Sequence, residues 1–262
     1  MLSYAREITP NVASISQWAG NGWFYWDARH ERDLCYIIPD RSLLPRANVT
    51  FMSPNKRRTY SIDGVAPVID SSAFVHPDAV IIGDVIIGAD CYVGPGASLR
   101  GDFGRIILER GSNVQDNCIL HSLPGLDLVI GPDGHIGHGA VIHGARVGTN
   151  VMVGMNSVIM DHAIIGASSI IAAMSFVKSG AEIPALHMAA GIPARVVREL
   201  TDDELAIKIE STRQYQLLTR RCLASHVPVE ALTHFDPNQK RVDANISLPL
   251  RDIARQKRNK PS

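Results

Sequence analysis

Along the middle of the chain an aliphatic residue recurs at every sixth position, running without a break through Val75, Ile81, Ile87, Val93 and Leu99. After an insertion the frame resumes at Leu108, Val114 and Leu120, and past the loop that follows His121 it continues at Ile130, Ile136 and Ile142. A one-residue slip then leads into the longest run, Val147, Val153, Ile159, Ile165, Ile171 and Val177. Four residues after most of these aliphatics stands a small side chain: Ala79, Val85, Cys91, Ala97, Cys118, Ala140, Val151, Ser157, Ala163, Ser169 and Ser175. Phe103 breaks the rule. A period of six is neither the 3.6 of a helix nor the 2 of a free strand. It suits short strands joined by tight turns, with one large and one small inward residue per hexad, in coils that are stable only when stacked.

An ordinary β-sandwich with alternating strands would leave the phase-locked small residues unexplained. The pattern resembles the hexapeptide-repeat family, which implies an all-β fold, a left-handed parallel β-helix in which three hexads make one triangular coil. The coil is assigned to residues 58–198. Behind it, Thr201-Asp202-Asp203-Glu204 has the capping-box spacing, and Leu205, Ile209, Tyr215 and Leu218 follow before Arg220 and Arg221. These residues predict a C-terminal α-helix within 199–225, from about 202 to 223, lying along the prism. Residues 226–262 read as a polar tail. Residues 1–57 lack hexads and hold Trp18, Trp23 and Trp26. They are expected to be a disordered or docking extension, or a start assigned too far upstream of Met52.

Composition narrows the partners. Lys+Arg and Asp+Glu are both 26, so the formal net charge is zero and the electrostatic footprint of a nucleic-acid or anionic-membrane binder is missing. The uncharged, apolar stretch Ala163 to Val177 is shorter than the roughly 20 residues of a membrane-spanning helix and is interrupted by Gly166, Ser168, Ser169 and Ser175. Four scattered cysteines without C-x-x-C spacing, and no signal-like opening, suit a reducing, cytoplasmic setting. A small-molecule substrate is the expected partner.

Five of the ten histidines lie between His121 and His162, and a coil interior needs none of them. His121 follows Leu120 by one place and His143 follows Ile142 by one place. Three hexads make a coil, so the two should stack on one outer face, with Arg100 one coil below. His138 falls on a neighbouring face, with Gln115 counted one coil below it. Outward side chains on adjacent faces of a convex triangle diverge, and a tetrahedral metal needs each imidazole nitrogen within about 2.1 Å. One monomer should therefore not close a site from His121, His138 and His143. A second copy packing its His138 face on the His121/His143 face would, and cyclic repetition gives a homotrimer. A coenzyme A acyltransferase of the same fold, using one interface histidine as general base, would explain one histidine but not the column. Idle surface histidines are the third reading. His76, His135 and His162 are assigned no role.

At these residues the resemblance becomes specific. Arg100-Gly101-Asp102, Asn113-x-Gln115-Asp116-x4-His121 and His138-x4-His143 resemble the γ-class carbonic anhydrase pattern. Tyr60 to Gly64, Gly94 to Gly104, Val114 to Cys118 and Asp133 to His138 are similar to the phenylacetic acid degradation (PaaY) proteins, with the carnitine-operon (CaiE) proteins as near relatives. The resemblance implies that His121, His138 and His143 bind Zn2+ or Fe2+ across a trimer interface. It makes Gln115 the orienter of a metal-bound hydroxide and Asn113 its support, with Arg100, Asp102 and Asp116 a charged surround that ties subunits together. Phe103 stands where the prototype anhydrase has a proton-shuttling glutamate, and the loop 122–127 is short and mostly apolar. Carbon dioxide (or bicarbonate) therefore competes as substrate with a bulkier acyl-CoA thioester. The resemblance implies a metal-dependent lyase or thioesterase of phenylacetyl-CoA catabolism. The alternatives are a hexapeptide-repeat acyltransferase and a non-catalytic CaiE-like accessory protein.

Overall fold

The computed structural model describes residues 58–242 in full, together with the backbone of three strands nearer the N-terminus. Those strands, Ser14–Trp18, Gly22–Trp26 and Tyr36–Ile38, form an antiparallel sheet in which Ser14 pairs with Trp26 and Trp23 with Ile38. They belong to a unit of their own, Met1–Ser53. Apart from them, the expectations for residues 1–57, and for the tail beyond 242, lie outside the described residues.

The second unit is the predicted coil. Strands two or three residues long stack in parallel on three faces. One face runs Phe74–Val75, Tyr92–Val93, Asn113–Val114, His135–Ile136, Met152–Val153 and Ile170–Ile171. The second holds Ile119–His121, Val141–His143, Val158–Ile159 and Phe176–Val177, and the third Leu128–Ile130, Arg146–Val147, Ile164–Ile165 and Glu182–Ile183. Two long strands, Val80–Ile87 and Ser98–Leu108, bend around the corner between them. This is the coil that the hexads announced, of about seven turns, and the left-handed β-helix that the family resemblance implied.

Every aliphatic of the six-residue frames is buried, as are the small residues from Ala79 to Ser175 that stand four places later. Phe103, the exception, is 61% exposed. Fully burying one such aliphatic stabilises the coil by about 1.5–3 kcal/mol, and the interior column supplies that at each hexad. Ile106 and Leu128 also point inward although they fall outside the frames, where the long strand and the loop break the count. The slip after Ile142 is taken up at Gly144, in the left-handed region at φ +52°, followed by buried Ala145. Asp133, Asn150 and Ser168 hold left-handed backbone at one corner of successive coils, and asparagine and aspartate tolerate that conformation best. Cys91 and Cys118 fill small-residue slots, and burial pushes the Cys118 thiol up to about 11. A final antiparallel pairing of His187–Gly191 with Ala194–Glu199 ends the coil, so its last parallel edge is covered.

The helix spans Asp202–Ser225, with the capping box of Thr201 and Glu204 formed. It runs along the first face, from Lys208 beside Asn150 to Thr219 beside Cys91. The buried side of the helix is not the predicted apolar set. Lys208, Thr212 and Thr219 are buried whereas Ile209 is exposed. The coil presents outward carbonyls that need donors. Lys208 Nζ donates to Asp133 O (2.6 Å), Gln216 to Gly111 O (3.2 Å) and Thr219 to Cys91 O (3.5 Å). No helix among the described residues is long and apolar enough to cross a membrane.

Candidate functional site

Strand alternation builds the site. With Leu99, Leu120 and Ile142 pointing inward, the next residue of each strand points out, and the register pairs Arg100 with His121 and His121 with His143. The column inferred from the hexad count is present. Between Arg100 and Asp102 only glycine fits, because a Cβ on Gly101 would lie 2.4 Å from the Asp84 carbonyl oxygen of the neighbouring coil. The strand runs on past it and returns Asp102 to the column.

The imidazoles are held from both ends. His121 Nε2 lies 3.0 Å from Asp102 Oδ1, whose other oxygen accepts from Arg100 at 2.7 Å. His143 Nδ1 bonds Asp161, on the next coil. Partial burial would push the Asp102 carboxyl up, but the bonds from Arg100 and His121 outweigh it and hold its pKa below the usual value. With a proton on each nitrogen that faces a carboxylate, the two remaining nitrogens, His121 Nδ1 and His143 Nε2, confront each other as lone pairs 3.0 Å apart. Two lone pairs at that distance repel unless a proton or a cation lies between them. Two nitrogens bound at about 2.1 Å to one tetrahedral metal would stand about 3.4 Å apart, so a slight opening of the pair accommodates the expected ion. Histidines backed by carboxylates are also the usual form of metal ligands. On donor chemistry the residues fit zinc or ferrous iron.

His138 is elsewhere. It follows the strand His135–Ile136 of the first face, with Nδ1 3.1 Å from Asp116 Oδ2 and Nε2 3.4 Å from the Tyr215 hydroxyl of the helix. Among the described residues of one chain, no group of three histidine, cysteine or acidic side chains is placed to hold a metal. The register of Gln115 differs from its expected place. Asn113 pairs with His135, which sets Asp116, not Gln115, one coil below His138. Gln115 instead lies on the outer face that the helix covers, donating to Asn113 Oδ1 at 3.0 Å and approaching His135 Nε2 at 2.7 Å. The structure thus gathers Arg100, Asp102, His121 and His143 at one centre, Asp116 with His138 at a second, and Asn113 with Gln115 at a third. Asp161 and His135 had no part in the sequence-based set. The stacking of Asn113 under His135 was readable from the hexads, but Asp161 lies beyond the slip.

An apolar rim flanks the column. The Phe103 ring centres 5.5 Å from that of His121. The loop 122–127 folds back through a bond from Ser122 Oγ to Leu126 O (2.6 Å), leaving Leu123 exposed.

Residues 66–101 and 144–179 match the family described as bacterial transferase hexapeptide (six repeats). The carnitine operon protein CaiE of Salmonella agona is 52% identical over 189 residues, 72% of this chain and 96% of its own length. Its Escherichia coli K12 counterpart is 50% identical over the same coverage. Among solved structures, a Bacillus cereus protein provisionally described as an acetyltransferase superposes with a TM-score of 0.63 at 33% identity, covering 63% of this chain and 96% of its own. A hexapeptide transferase family protein from Anaplasma phagocytophilum gives 0.60 at 37% identity, covering 62% and 96%.

Proposed function

Since the chain belongs to the bacterial transferase hexapeptide family, alongside the CaiE proteins, we propose that it is an enzyme of transferase type that moves an acyl group from a coenzyme A thioester, working at the His121–His143 column. The observation that carries the proposal is the pair of facing imidazole nitrogens, each backed by its own carboxylate. An acyltransferase that needs only a general base requires one histidine, and the second calls for a shared cation. The ligand set is completed by His138 of a neighbouring copy in a homotrimer, which the adjoining surface supports. Beside the histidine column runs a second outward column, Val80, Ser98, Ile119, Val141, Val158 and Phe176, apolar at all but one position.

A divalent cation, which His121 and His143 with the neighbouring copy's His138 would hold, would supply Lewis-acid polarisation of the thioester carbonyl. Asp102 and Asp161 keep the ligating nitrogens unprotonated, Arg100 fixes Asp102, and Phe103 with Leu123 gives an acyl chain an apolar surface. In the transfer the acyl carbon exchanges its bond to sulfur for a bond to the acceptor, and the acceptor's proton ends on the departing thiolate. Water as acceptor would make the same centre a thioesterase. Carbon dioxide hydration requires a fast proton route, and the apolar ring beside His121 argues for the acyl substrate. A link to phenylacetyl-CoA rests on the motif resemblance alone, and nothing in the proposal depends on it.

Metal content, and acyl-CoA consumption with and without hydroxyl or amine acceptors, test the reading together. About one zinc or iron per subunit and acceptor-dependent release of free thiol are expected. Full activity without metal would remove the cation from the proposal. A second reading, a non-catalytic accessory protein, draws on the half-identical carnitine operon relatives. An intact trimer carrying His143→Ala that still supports the host pathway would favour it.

A further inference from the structure

Behind Gln115 lies a buried polar chain that the proposed chemistry has not used. Asn113 and Gln115 are almost fully enclosed, and His135 is 8% exposed. Asn113 Nδ2 reaches the Gly134 carbonyl at 3.5 Å, which fixes the orientation of its amide, since the flipped amide would set oxygen against oxygen. Asn113 Oδ1 therefore accepts from Gln115 Nε2. The other hydrogen of that amide points at His135 Nε2, 2.7 Å away, and an amide nitrogen can only donate. The shorter approach decides the tautomer: His135 carries its proton on Nδ1, facing the Thr212 hydroxyl of the helix at 3.5 Å, and the 3.4 Å approach of Asn113 Nδ2 to that nitrogen is a contact and not a hydrogen bond, since this amide donates to Gly134 O. Both amide hydrogens of Gln115 are thereby spent on the protein. Its Oε1 accepts nothing from the described residues and is not sealed off.

We propose that His135 is a positioning residue: together with Asn113 it locks the Gln115 amide so that the centre meets only its carbonyl oxygen. A locked acceptor selects a partner carrying an O–H or N–H, which is the chemistry of the attacking acceptor and not of the thioester carbonyl. The helix takes part through Thr212 and through Lys208, whose Nζ also bonds Asn150 Oδ1 at 2.6 Å. Burial first, then the nearby charges of Lys208 and His138, push the His135 pKa down to about 3, so the ring stays neutral. The inference rests on the proposed function in that the shared centre sets the face carrying His138, and with it Gln115, of one copy against the histidine column of its neighbour.

Nitrogen NMR of the trimer labelled at histidine rings and glutamine side chains tests it without turnover. The expected result is a neutral His135 ring protonated on Nδ1 from pH 8 down to pH 5, and a Gln115 NH2 pair protected from exchange, identified by its loss in Gln115→Ala. His135→Leu should release one of those hydrogens and lower kcat about tenfold or more with KM for acyl-CoA unchanged. His135→Gln, which keeps an acceptor at that reach, should restore both. A ring protonated on Nε2, or a Gln115 pair indifferent to a folded His135→Leu, overturns the proposal. The expected NMR signature with no acyl transfer would keep His135 as the lock and discard the function instead.

Discussion

Nδ1 of His121 stands 3.0 Å from Nε2 of His143, on the next coil, and the far nitrogen of each ring is held by a carboxylate. One removal on either side should disturb the same shared position. Asp161 is the cleaner target, because it touches His143 and lies outside the long strand that carries Arg100 and Asp102.

Asp161→Asn places an amide against His143 Nδ1. Its oxygen can still accept from Nδ1, but the negative charge that makes the facing Nε2 a strong donor to a cation is gone. Metal affinity measured by competition titration should fall about 10- to 100-fold with the fold unchanged. Unaltered affinity in the folded variant would count against a metal held by this pair.

The interior was legible because a six-residue period is a local property of the chain, and each step commits one side chain to the inside whatever lies further along. The same count carried Arg100, His121 and His143 into one column, since strand pairing fixes register at three hexads. It failed where the chain leaves the strands. Gln115 and Asp116 sit where the strand gives way to a corner, and there a count off by one position exchanges them, so Asp116 took the place expected for Gln115. The helix was read by its apolar residues, but it docks on outward carbonyls, and their need for donors buries Lys208, Thr212 and Thr219 instead. Periodicity describes side chains and is blind to that demand of the backbone.

Gly101 makes the Arg100–Asp102 turnout possible, so Gly101→Ala should cost more than an ordinary strand substitution. The new methyl would meet the Asp84 carbonyl oxygen at 2.4 Å, a backbone atom that cannot swing away. Forcing the coils apart is an overpacking defect, and about 1–3 kcal/mol of stability should be lost in denaturant unfolding. The Arg100–Asp102–His121 bonds should loosen with it, lowering metal affinity. A variant as stable as the parent would show that the neighbouring coil yields.

Stability should also fall in mild acid through His135. Its native pKa of about 3 lies below the ordinary 6.5, so between those values the unfolded chain binds a proton that the native one refuses. Stability is therefore lost as pH falls from 6.5 toward 3, about 2 kcal/mol of it between pH 7 and pH 5. Lys208, pushed down from 10.5 to about 7 by burial, carries its full penalty below pH 7 and adds little slope there. Asp102 acts in the same direction at lower pH and cancels when the parent is compared with His135→Gln. Equal pH dependence of the two proteins in urea melts would refute the assignment.

Subunit mixing tests the trimer geometry. If each centre takes His121 and His143 from one chain and His138 from its neighbour, His138→Ala and His143→Ala homotrimers both lack a ligand at every centre and should be inactive. In a mixed trimer a His138→Ala chain still offers its column, and a His143→Ala chain still offers its His138. Where the first meets the second across an interface, a complete set re-forms. Random assembly from equal amounts puts them in that order at roughly a quarter of the interfaces, and that share of metal binding and acyl transfer should return. Chains refolded together, with mixing checked by native mass spectrometry, give the measurement. A centre built within one chain could never be rescued this way, and one made of His121 and His143 alone would leave His138→Ala active. No recovery from demonstrably mixed trimers, or full activity in His138→Ala, would each remove the shared site.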